Sequence, residues 1–233
     1  MALLVSVTVA ATAGACRGET GAPDDARPAT RSLEPSALEG RIAFQSDRDG
    51  DADIYVMNAD GSGLVQLTDH PAEDGYPVWS PDGTRIAFES KRDGPYQVYV
   101  MDADGSDLRP LTRGAPNSFN PAWAPDGERI VFTSDRDGSN ELYTMRADGS
   151  DVRQITSGLG QYGIADWSPD GKRIAYTGNR YLGWNVYVMD ADGSEDRRLT
   201  NGHGACRPDW SPDGQRLAYV SQEWDGKGDI GIM

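Results

Sequence analysis

Three groups of residues in this 233-residue chain are of types that could do chemistry. His70 and His203 are the only histidines, each in a loop containing glycine or proline, and imidazoles that ionise near neutrality serve as general acids or bases. The stretch "DRDGDAD" sets Asp47, Asp49, Asp51 and Asp53 at alternate positions around Gly50, which resembles part of a calcium loop. Cys16 and Cys206 are the only cysteines.

None of these groups completes a reactive set. The chain contains no G-x-S-x-G nucleophile elbow, no H-E-x-x-H helix motif and no Walker-type phosphate loop. The aspartate pattern fades to "KRDGPYQ" from Lys91 and "NRYLGWN" from Asn179, with no glutamate where a calcium loop places its bidentate ligand. No catalytic residue, metal site or cofactor is expected, and calcium at Asp47, Asp49, Asp51 and Asp53 is the alternative. Two cysteines this far apart suggest neither a disulfide framework nor a metal site, and Cys206 is expected as a single thiol buried on a strand.

A formal net charge of −15 argues against nucleic acid, because affinity for phosphate backbones rests on clustered Lys and Arg. Cationic or neutral partners fit this charge better. Residues 1–16, "MALLVSVTVAATAGAC", form a short apolar run ending in small residues and read as an export signal, although no basic residue precedes the run. "AGAC" resembles a lipoprotein processing site, which makes Cys16 a candidate for lipidation and a lipid anchor the expected route to a membrane. Residues 17–40 are rich in Pro, Ala, Gly and charge without an apolar period, as in a disordered tether able to span about 70 Å.

From residue 41 to 233 the chain is periodic. Trp79, Trp123, Trp167 and Trp210 recur at intervals of 44, 44 and 43 residues, each opening a W-[SA]-P-D-G turn, and "ADGS" follows Met57, Met101, Met145 and Met189 at the same step. Within a unit, short runs rich in β-branched and aromatic residues alternate with Pro, Asp and Gly turns, which predicts four antiparallel strands. In the second unit these are Tyr76–Ser80, Arg85–Ser90, Gln97–Asp102 and Leu108–Thr112. Asp82, Asp126, Asp170 and Asp213 repeat in every turn and are expected to shape turns rather than catalyse. Four antiparallel strands every 44 residues make a β-propeller blade, and one Trp per unit supplies the apolar surface that packs blade on blade. The expected fold is all-β, a β-propeller of about five blades. The first unit has Pro35 in place of Trp and the last stops at "DIGIM" without an outer strand.

"WSPDGxRIAF", "DRDG", "IYVMxADGS" and "LT" together resemble the WD40-like (PD40) repeat of the TolB family, which also occurs in the propellers of prolyl-oligopeptidase-type enzymes. The resemblance covers residues 41–233 and implies part of a six-bladed propeller without the α/β domain that precedes it in TolB. It also implies a periplasmic, non-enzymatic assembly role of the kind TolB plays with the lipoprotein Pal. The alternative is the propeller portion of a hydrolase or of a glycan-active enzyme.

Positions alike in every unit serve packing and turns, so a binding site belongs where the units differ. The loops leading into the first strands diverge, and three residues before each Trp stand Tyr76, Asn120, Ile164 and Arg207, expected near the mouth of the central channel. Tyr76, Phe119, Asn120, Tyr162, Arg207 and His203 are therefore the candidate surface for a protein or peptide partner in the cell envelope, with His70 nearby. Trp184 and Trp224 mark a weaker, carbohydrate-binding alternative on the same face.

Overall fold

The computed structural model describes residues 3–6 and 40–233, apart from 115, 182, 202–203 and 222–227. Cys16, His203 and Trp224 lie outside the described residues, as do residues 17–39 of the expected tether. The described residues are all β, arranged as five sheets, four of four strands and a fifth of three. Each sheet is one blade, and the fifth lacks a fourth strand as the repeat pattern predicts.

Blade 2 shows the unit. Its strands are Asp74–Trp79, Arg85–Ser90, Gln97–Asp102 and Arg109–Pro110, paired antiparallel in chain order. The first strand starts two residues earlier than expected. The outermost is shorter, because Leu111 leaves the ladder and donates its N–H to Val98 O at 2.7 Å. Blade 1 departs from this pattern: Leu3–Ser6, within the segment read as an export signal, pairs in parallel with Gly40–Ser46.

The turns follow the repeated residues. Ser80 Oγ donates to Asp82 Oδ1 at 2.6 Å, and the same oxygen accepts the N–H of Thr84 at 3.0 Å. Asp170 and Asp213 repeat the arrangement with Ser168 and Ser211. These hydrogen bonds from serine hold Asp82, Asp170 and Asp213 below the usual carboxylate range, as expected of turn formers. The threonine of each "LT" bridges back to the third strand. Thr68, Thr112, Thr156 and Thr200 donate to Asp53, Gln97, Glu141 and Asn185 and accept the next residue's backbone N–H.

The core lies between blades. Ala43, Ile54 and Val56 of blade 1 pack on Trp79, Ile86, Phe88, Tyr99 and Met101 of blade 2, and equivalent clusters join blades 2 to 3 and 3 to 4. Trp79, Trp123 and Trp167 are buried in these joints, so the indoles serve blade-to-blade packing as the repeat predicts. Arg41 lies over Trp79 of the following blade at 5.2 Å, Arg85 over Trp123 at 4.8 Å and Arg173 over Trp210 at 4.6 Å. Arg129, at the corresponding position in blade 3, instead donates to Asp151 of its own blade at 2.9 Å. The "ADGS" glycines add a backbone contact between neighbours: Gly149, at φ +88, lies so close to Leu111 of blade 2 that a Cβ would meet its carbonyl oxygen at 2.7 Å.

The two ends of the blade series expose faces that interior blades bury. Ile86 and Phe88 of blade 2 are fully buried, whereas Ile42 and Phe44 of blade 1 are half-buried, and Ile230 and Ile232 of blade 5 are 77% and 69% exposed.

Candidate binding site at the channel mouth

The innermost strands of blades 2 to 5 are Asp74–Trp79, Ser118–Trp123, Tyr162–Trp167 and Cys206–Trp210, and they stand side by side around the axis. Each carries a β-bulge at the same place, the register slipping between Gly75 and Val78, opposite Val131 and Thr133, between Gly163 and Ala165, and between Cys206 and Asp209. A bulge inserts one unpaired residue and re-aims its side chain. Here that residue is Tyr76, Asn120, Ile164 or Arg207, at φ 51°, 52°, 42° and 54°. Left-handed backbone is costly for L-residues, most of all for a β-branched one such as Ile164. The four positions singled out by the repeat thus become four half-exposed side chains on strained bulges at one level of the axis.

The equivalent residue of the preceding blade's second strand, four places after its repeated arginine, is Gln45, Glu89, Thr133 or Thr177, and at two of the four joints it holds the bulge directly. Glu89 Oε2 accepts the N–H of Asn120 at 2.9 Å, and Thr177 Oγ1 accepts that of Arg207 at 3.0 Å. At the first joint a Cβ on Gly75 would meet Gln45 Oε1 at 2.7 Å, so glycine lets the two blades approach. Glu89 is buried, and loss of water pushes its carboxyl up to about 7 despite the bond from Asn120. Asp166, next to Trp167, is also pushed up to about 7 by burial and accepts the N–H of Trp210 at 2.9 Å.

Arg207 Nη2 donates to the Tyr76 hydroxyl at 3.2 Å, with the guanidinium carbon 6.0 Å from the Tyr76 ring centre. Burial raises the Tyr76 phenol above its ordinary range, with Arg207 opposing, so the hydroxyl stays protonated at neutral pH. Phe119 lies beside this set, tilted on Tyr96 with ring centres 6.4 Å apart. Tyr96 in turn donates to Glu73 at 2.7 Å and lies under Lys91, which pairs with Glu73 at 2.6 Å.

Other candidates sit apart from these bulges. Tyr162 is buried, packed on Tyr176 at 6.1 Å beneath Arg180, and belongs to the core. His70 accepts the Ala72 N–H through Nδ1 at 3.1 Å, which orders its loop. Trp184 is half-buried, and its carbonyl accepts the N–H of Ala205 at 3.0 Å. Cys206 is buried on its strand as expected, but it is disulfide-bonded rather than a single thiol, a correction to the sequence reading. Two of the four aspartates of "DRDGDAD" have protein partners: Asp49 accepts the Tyr55 hydroxyl at 2.6 Å, and Asp53 accepts Gln66 and Thr68. Tyr99 with Asp93 and Tyr143 with Asp137 repeat the first pair, and Arg48, Arg92 and Arg136 cover the tyrosine rings. Among the described residues no group of three His, Cys, Asp or Glu side chains is placed to hold a metal ion.

Radially stacked antiparallel blades with bulged inner strands around an axis define a β-propeller. The chain belongs to the TolB beta propeller domain family, whose model matches residues 32–119 and 113–233. It is similar in structure to TolB from Acinetobacter baumannii, with TM-score 0.74 and 26% identity over 85% of this chain and 49% of that one. It is likewise similar to a putative TolB from Agrobacterium tumefaciens, with TM-score 0.68 and 25% identity over 82% of this chain and 72% of that one. The chain thus spans about half the length of the Acinetobacter protein. A segment of 56 residues is 46% identical to the uncharacterized peptidase YuxL of Bacillus subtilis, covering 23% of this chain and 8% of that protein.

Proposed function

We propose that this protein is an exported, non-enzymatic propeller that binds a protein or peptide partner of the cell envelope at its axial mouth. The observation that carries the reading is the bulge set. A repeat with recurring turns carries four different side chains, Tyr76, Asn120, Ile164 and Arg207, at equivalent strained positions on neighbouring inner strands. Strain of about 1–3 kcal/mol per residue is commonly retained where a side chain must be held for contact. Membership of the TolB propeller family supports a binding scaffold, and the apolar residues 1–16 support export. The test is capture from envelope extracts on immobilised protein. Arg207→Ala with Tyr76→Ala is expected to abolish capture and leave the melting temperature within a few degrees. Unaltered capture by the double variant rejects the mouth as the site.

A second reading, the propeller portion of a hydrolase, has support in the 56-residue match to the Bacillus peptidase. Peptide hydrolysis by the full-length gene product, stopped by a serine-directed inhibitor, would establish it.

A further inference from the structure

Arg207 differs from the ion-paired arginines of this protein. Arg92 pairs with Asp74 at 2.6 Å, Arg129 and Arg153 with Asp151 at 2.9 Å, and Arg180 with Asp196. Arg48 and Arg136 lie over rings whose hydroxyls are tied to aspartates. Arg207 has no ion-pair partner among the described residues, and its one side-chain hydrogen bond goes to a neutral phenol on a blade two removed from its neighbour in chain order. In a chain of net charge −15, that leaves a half-exposed cation at the axis with most of its five N–H donors uncommitted.

The direction of the bond adds to this. Tyr76 accepts from Arg207, so its own hydroxyl proton remains available to donate. A guanidinium from blade 5 and a phenol from blade 2 thus stand within hydrogen-bond distance of each other, each with donors to spare. Two adjacent donors, one charged, match a carboxylate, the planar acceptor that a guanidinium binds through two parallel hydrogen bonds.

We propose that Arg207 and Tyr76 together form a receptor for a single carboxylate presented by a peptide. This rests on the mouth being the binding surface. The carboxylate comes from a chain terminus or from an Asp or Glu side chain. The rest of the peptide is neutral or basic, since an acidic one would be repelled by a protein of this charge.

The test is calorimetric titration of the full chain with three N-acetylated pentapeptides. One is lysine-containing with a free C-terminal carboxylate, the second is its C-terminal amide, and the third is that amide with one alanine replaced by glutamate. The first, the third or both are expected to bind at least ten-fold more tightly than the second, which also separates a terminus from a side chain as the source. Arg207→Gln is expected to remove that preference, Tyr76→Phe to weaken it several-fold, and Arg207→Lys, which keeps the charge without the fork, to retain part of it. The lysine variant also serves if the glutamine variant fails to fold. Equal binding of all three peptides, an unchanged preference in the Arg207 variants, or no binding of either carboxylate peptide at millimolar concentration overturns the proposal. Equal binding of the three peptides together with capture lost in the Tyr76 and Arg207 double alanine variant removes the carboxylate and leaves the mouth standing.

Discussion

Glu89 of blade 2 accepts the backbone N–H of Asn120 in blade 3 at 2.9 Å, so a buried carboxyl supports a left-handed bulge in the neighbouring sheet. This places a titratable group in the wall of the proposed site, where burial disfavours its charge.

The consequence is a stability that depends on pH. Glutamate in the unfolded chain ionises near 4.5 and Glu89 in the fold near 7, so between these values the unfolded state gives up its proton first. Stability therefore falls as pH rises through this window and stays low above it, by an amount on the order of 3 kcal/mol. Glu89→Gln keeps an oxygen acceptor for Asn120 and removes the charge. Urea unfolding should find the variant more stable than the parent at pH 8 and level with it at pH 4; a difference that does not change with pH would contradict this.

Ile164 is the bulge residue whose side chain suits left-handed backbone least. Asn120 occupies the same place in blade 3, and asparagine tolerates this conformation. Ile164→Asn should raise stability by about 1 kcal/mol, read as a higher denaturant midpoint at constant slope. A lowered midpoint would mean that Ile164 contributes more by packing than it costs in strain.

Gly149 combines positive φ with a close approach to the Leu111 carbonyl. Gly149→Ala should cost roughly 2–4 kcal/mol, because backbone strain and a forced shift of two blades add together. Gly138, also at positive φ but with nothing within 4 Å of the place a Cβ would take, is the control and should lose less than half as much on the same change. Similar losses at both sites in thermal melts would remove the blade contact as the cause.

With Asp49 held by Tyr55, and Asp53 by Gln66 and Thr68, calcium or a chelator should leave the melting temperature unmoved. Asp49→Ala should lower stability by about 1–2 kcal/mol through the lost bond to a largely buried phenol, pushed up to about 12 chiefly by burial. A rise of several degrees on adding calcium would restore the metal reading.

Much of this architecture is legible in the chain because one unit is written repeatedly. Trp79, Trp123 and Trp167 have to be buried against a neighbour, and the aspartates of the "SPDG" turns have to serve the turn, since every unit has both needs. The same comparison of units picks out Tyr76, Asn120, Ile164 and Arg207 as a set. It gives no sign of the bulges, because left-handed backbone leaves no mark in tyrosine, isoleucine or arginine as it does in glycine. Glu89 escapes a search confined to loops. Its signal is nonetheless present: the residue four places after the arginine that opens each second-strand run reads Gln45, Glu89, Thr133, Thr177 and Val220, a single charged residue in an otherwise neutral series. Tyr162 misleads for the opposite reason, since a varied position at a strand end can turn toward the core.

The withdrawal of Arg129 from its neighbour's indole sets one joint apart from the others. Where Arg41, Arg85 and Arg173 each clasp the next tryptophan, blade 3 keeps its cation for Asp151, and Trp167 is held by apolar packing without that clasp. A cation held over an indole is an electrostatic contact that salt weakens, whereas apolar packing is not, so the Trp167 joint answers to ionic strength differently from its neighbours.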